Sequence, residues 1–181
     1  DEKLGKETSH AGKEACYHGI GHGAVDASDF RARGDAQAII EPGLKICELV
    51  GATALKLHVC GNGVFNALAI MFINSEYGLS VREDDPFWIC KRQGKAYFKN
   101  SCYRQLTRII THLTDRNFLE SLAFIEKTVE DEYVGNTIAG VAQRVARFYS
   151  NEQHFPGIIA DCRTLPASFR SSCVGGFALG I

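Results

Sequence analysis

Apolar positions recur along this chain at helical spacing almost throughout. Tyr103, Leu106, Ile109, Ile110 and Leu113 fall at i, i+3, i+6, i+7 and i+10, the stripe that one buried helix face presents. Ile138, Val141, Ala142, Val145 and Phe148 make a second stripe, and Phe118, Leu119, Leu122, Ile125 and Val129 a third. Sustained alternation, the mark of strands, is missing. Gly34, Gly51, Gly78, Gly94 and Gly157 punctuate the periodic segments, where chain reversals are expected. Asp84 and Asp85 ahead of Pro86 read as the acidic cap and first-turn proline of a short helix. The pattern predicts an all-α fold of about nine or ten antiparallel helices with short connections and no sheet.

The cysteines turn this string of helices into units. Six of the seven form couples, Cys47 with Cys60, Cys90 with Cys102 and Cys162 with Cys173, each with a proline shortly before its first member (Pro42, Pro86, Pro156). The spacing is too wide for a Cys-x-x-Cys zinc ribbon or redox site, and no second Cys or His pair stands at finger spacing. Disulfides fit, each closing a loop of about 12 residues and contributing roughly 3 kcal/mol by constraining the unfolded chain. The competing reading, buried free thiols packed as small hydrophobes in a cytosolic protein, leaves the paired spacing to coincidence. Disulfides place the protein in an oxidising compartment: periplasm, cell surface or secretory lumen. The chain opens Asp-Glu-Lys-Leu-Gly-Lys, which is no signal peptide, so an export signal would already have been removed.

Taking the second cysteine of each couple as a landmark gives the series Cys16, Cys60, Cys102, Tyr133 and Cys173, with a period near 40. Such a period with helical hairpin content predicts disulfide-stapled helical hairpins stacked as an α-solenoid-like repeat. The expected domain is single, spanning 1–181, with units of roughly 1–33, 34–78, 79–114, 115–150 and 151–181. Gly19 and Gly23, four apart, together with Gly61-Asn-Gly and Gly175-Gly, mark the places where a neighbouring helix is expected to approach closely. The first and last units each look like half a hairpin, so more chain or another subunit is expected at the ends of the array.

Composition narrows the function classes. The 181 residues are 45% hydrophobic and 23% charged, with formal net charge −1, and Lys and Arg are scattered along the sequence. No basic block of the kind that binds nucleic acid stands out. The longest apolar run, Val64 to Ile73, is interrupted by Asn66 and falls short of the roughly 20 residues a membrane-spanning helix needs, so no transmembrane segment is expected.

The segment Ala15-Cys-Tyr-His-Gly-Ile-Gly-His-Gly carries the densest chemistry. On a helix His18 and His22 lie one turn apart, with the unpaired Cys16 just upstream. Two imidazoles and a thiolate could hold zinc or copper, with His10 as a further ligand. The same two positions in the next unit are Asn62 and Asn66, so the pair also reads as a polar step bonding an adjacent hairpin. Glycine content alone makes Gly19-Ile-Gly-His-Gly no phosphate loop, since the preceding strand and the Lys-Ser/Thr ending are missing. No Gly-x-Ser-x-Gly marks a nucleophile. His58 and His112 read as structural, His154 as solvated, and Phe87-Trp88 as packing beside the Cys90 crosslink or as a partner anchor. Two readings follow: an exported, non-enzymatic helical-repeat interaction module serving as an accessory or scaffold subunit for other protein subunits, or a metal or metallocofactor binder using Cys16, His18 and His22.

Overall fold

The computed structural model describes residues 10–27, 32–148 and 155–181. Among them lie nine α-helices and no strand: α1 (His10–Asp26), α2 (Ala36–Val50), α3 (Ala54–Ile73), α4 (Trp88–Lys91), α5 (Ala96–Leu113), α6 (Phe118–Thr128), α7 (Asp131–Phe148), α8 (Phe155–Thr164) and α9 (Ala167–Ala178). Side-chain caps start several of them. Asp35 accepts from the Gln37 and Ala38 amides at 3.0 and 3.1 Å, Thr53 from Lys56 at 3.3 Å, and Asn117 from Glu120 at 3.2 Å. Asp84 and Asp85 cap nothing: α4 begins after Phe87 without a side-chain cap, and the Asp85 carboxylate instead pairs with Lys91 at 2.7 Å. Gly157 lies inside the first turn of α8 rather than at a joint. Gly34 and Gly78 are true turn glycines, with φ of 77° and 72°.

The odd-numbered helices form a row in which α1 packs on α3, α3 on α5, α5 on α7 and α7 on α9, while α2, α4, α6 and α8 each pack against the odd helix that follows. Three of these hairpins are stapled, Cys47–Cys60, Cys90–Cys102 and Cys162–Cys173, as the spacing predicts. α6 and α7 have no crosslink. A continuous core runs beneath the row, with Phe65, Leu68, Phe87, Ile89, Tyr103, Leu106, Ile110, Ile125 and Val141 all buried. Two expected stripes are truncated, because Phe148 and Leu119 stand about half exposed at 52% and 53%. α3 is long and apolar enough to cross a membrane by length and composition, but more than half of it is buried inside the protein between α1, α2 and α5.

Backbone contact between odd helices depends on glycine, though not at the positions expected for α1. A Cβ on Gly19 or Gly23 would meet nothing within 4 Å. One on Gly21 would strike the Cys60 carbonyl oxygen at 2.0 Å, and one on Gly63 the His18 carbonyl oxygen at 2.0 Å. Gly19 and Gly23 face away because α1 turns its Gly21 side, about 200° from Gly19 on a helix, toward α3. The contact recurs at two further junctions: a Cβ on Gly140 would meet the Arg104 carbonyl oxygen at 3.0 Å, and one on Gly176 would strike that of Ala139. Aligning the helices by this contact puts Thr137, not Tyr133, where the other odd helices carry cysteine. Thr137 is fully buried, like Cys60, Cys102 and Cys173, and its hydroxyl is satisfied by the Tyr133 carbonyl at 2.8 Å.

Candidate anion-binding site

Several of the polar positions two or six residues past a landmark come to one side of the helix row. There His18, Asn66, Arg104, Arg108 and Gln143, joined by Gln105, Arg144 and Arg147, line a cleft of about 300 Å³. A second hollow of about 310 Å³ shares Arg108, Arg144 and Arg147 and continues to Arg116 and Phe148. No aspartate or glutamate lines either one among the described residues. Arg116 pairs with its neighbour Asp115, at 3.5 Å, and lies 3.6 Å over the Phe148 ring.

Two of the guanidinium groups are braced by neutral side chains of the opposite helix. Arg104 of α5 reaches across to donate to Asn136 Oδ1 (3.4 Å) and Gln143 Oε1 (2.9 Å) of α7. In return Arg144 donates from Nε to Thr107 Oγ1 (2.9 Å) and from one terminal nitrogen to the Gln105 carbonyl and amide oxygens (3.1 and 3.0 Å). Gly140, which admits the Arg104 carbonyl, holds the helices close enough for both reaches. Each fork keeps donors in hand, since arginine has five. Arg108 is less settled: its Nε is buried with no hydrogen-bond partner.

Gathering these cations has an electrostatic cost. Burial first, then Arg108, Arg147 and Arg104, push the Arg144 guanidinium down to about 9. Burial and Arg147 lower Arg104, and burial lowers Arg108. All remain charged at neutral pH, where nothing on the described chain neutralises them. Burial, then the charge of His22, lowers His18 as well, so at neutral pH its imidazole enters the cleft uncharged.

The proposed metal ligands are arranged differently from the arginines. Cys16 is exposed and unpaired, and lies about 200° around α1 from His18. His22 bonds the Asp26 carboxylate through Nδ1 at 3.0 Å. Among the described residues no three His, Cys, Asp or Glu side chains gather as a group that could hold an ion. His10 begins α1, and His154 lies outside the described residues. His58 is half-buried and bonds Ser101 Oγ at 3.0 Å, a structural role, and His112 is exposed. Trp88 packs its edge on the core with Arg82 over its ring at 4.1 Å, while Phe87 is buried against Tyr103.

The arginine cleft is the part that scanning charges along the chain misses. Its signal was in the repeat: Arg104 and Arg108 occupy the same two positions after Cys102 as His18 and His22 after Cys16 and Asn62 and Asn66 after Cys60. Comparison of the chain with protein-family models, curated proteins and solved structures finds no match.

Proposed function

We propose that this protein is a non-enzymatic helical-repeat binding module of an oxidising compartment, which holds an anionic partner in the arginine-lined cleft of α5 and α7. The observation that carries the reading is four guanidinium groups lining one cleft with no carboxylate in its lining among the described residues. Surface arginines ordinarily lie among acidic neighbours, and a cluster left without any leaves strong donors and positive charge for a ligand. Support for the module comes from the helix row, where a glycine admits a neighbouring carbonyl at three of the four junctions between odd-numbered helices, a repeated packing that fits stacked hairpins. Three hairpin disulfides support the compartment. The hydrogen-bond donors and positive charge that line the cleft support recognition as its chemistry. The test is thermal unfolding of the protein against a panel of anions: pyrophosphate, citrate and an oligoaspartate peptide. At least one is expected to raise the melting temperature in a salt-sensitive way that disappears in Arg108→Gln. If none does, the cleft is not a binding site.

A further inference from the structure

We infer that the cleft recognises a compact ligand carrying two phosphate groups, of the inorganic pyrophosphate or small organic bisphosphate kind. The inference rests on the cleft being the anionic partner's site, and it adds the chemistry of that partner.

Charge sets the first condition. Four guanidinium groups line the cleft, and a phosphate monoester brings about −1.5 to −2 at neutral pH, so two such groups balance them where a single carboxylate brings one charge. Geometry sets the second. An arginine fork presents paired, coplanar N–H groups that meet two oxygens of one tetrahedral group, and the Arg104 and Arg144 forks are already fixed from behind by Gln143, Asn136, Thr107 and Gln105. Arg108 lines the same cleft, and its terminal nitrogens, unlike its enclosed Nε, are open to a bound oxyanion.

Size and lining favour a compact ligand. A cleft of about 300 Å³ accommodates a small molecule carrying two phosphate groups. Among the described residues its lining holds no Phe, Tyr or Trp, and polar side chains make up most of its walls, which suits a small polar anion better than stacked bases. The neutral Asn66, Gln105 and Gln143 at its walls suit bridging oxygens or hydroxyls between two phosphates.

Calorimetric titration of the whole chain, in metal-free buffer with chelator, decides the matter. The probes are pyrophosphate, fructose 1,6-bisphosphate, citrate and an oligoaspartate peptide. Pyrophosphate or the bisphosphate is expected to bind at least about tenfold more tightly than citrate or the peptide. Which of the two binds more tightly tells the inorganic source from the organic one. Arg108→Gln is expected to weaken that binding by about tenfold or more with circular dichroism unchanged, and Arg108→Lys, which keeps the charge but loses the fork, to recover only part of it. Citrate or the peptide binding as tightly as pyrophosphate, with Arg108→Gln still weakening them, would overturn the phosphate assignment while leaving the anionic cleft standing. Binding of no probe, or binding indifferent to Arg108, would overturn both.

Discussion

Arg108 offers the sharpest test of the electrostatic reasoning, because removing it should make the protein more stable. Its Nε is buried without a partner, a defect worth about 1–3 kcal/mol in a fully enclosed site. The residue is only half-buried and its remaining donors reach water, so the penalty is discounted to about 1 kcal/mol. Arg108→Met keeps an apolar stem of similar length, deletes the orphaned donor and removes the charge that lowers Arg144 most after burial. For a domain of this size the gain corresponds to a rise of about 2–4 °C in melting temperature. The assay is urea unfolding followed by circular dichroism, at about 20 mM and about 300 mM NaCl, since screening over a shorter Debye length should shrink the electrostatic share of the gain. A variant that unfolds at lower urea with an unchanged slope would refute the claim that the cationic cleft is a liability in the empty protein. A stabilised variant would instead mark the cleft as a place where stability is given up for recognition.

Other outcomes follow from the packing and the titrating groups. Gly63→Ala should destabilise by about 3 kcal/mol or more, since the new methyl would meet an α1 carbonyl, whereas Gly19→Ala, facing open space, should stabilise by about 0.5–1 kcal/mol; urea midpoints of the two separate the faces of α1 and α3. Replacing Cys90 and Cys102 together by alanine should cost about 3 kcal/mol, measured the same way under non-reducing conditions. Tyr103→Phe loses a hydrogen bond to Glu130 of 2.7 Å and should cost about 1–2 kcal/mol. Burial lowers both His18 and His58, so below their ordinary value near 6.5 the unfolded chain takes up protons that the folded one refuses, and stability should fall from pH 7.5 to pH 5.5. His58→Gln should flatten that fall; an unchanged slope would remove His58 from the account. Glu130, held low chiefly by Lys99 with help from Tyr103, should add a separate loss at pH values below the ordinary glutamate range.

How much of this was legible in the sequence depends on the range of the interaction concerned. The helices and staples are local: the Tyr103–Leu113 stripe and the 11- to 13-residue cysteine couples declare themselves within a short window. The face of α1 was not legible, because Gly19, Gly21 and Gly23 are alike in sequence and only the crossing with α3 selects Gly21. Tyr133 is the landmark that spacing along the chain suggests, but the crossing with α5 puts Thr137 there, where a small hydroxyl that bonds its own helix fills the space of an uncrosslinked thiol. The cleft is assembled from residues about 40 apart on α5 and α7, so a scan for basic blocks sees only isolated arginines. The Cys16, His18 and His22 trio looked dense on paper, but residues two apart on a helix face different directions.

The three staples also bear on how the chain acquires its crosslinks. Each joins cysteines 11 to 13 residues apart, while at least 30 residues separate one couple from the next. A chain entering an oxidising space end first, at about 5–20 residues per second, delivers the second thiol of a couple about a second or two after the first, well ahead of any later competitor. The native partner is then always the one reached by the smallest loop, and a wrong pairing must close a longer one. Cys16 is the exception: it is crosslinked to none of the other six cysteines and lies 31 residues ahead of Cys47. Oxidative refolding of Cys16→Ser should therefore give a cleaner yield of native monomer than the parent chain, and the misfolded fraction of the parent should carry Cys16 in its crosslinks.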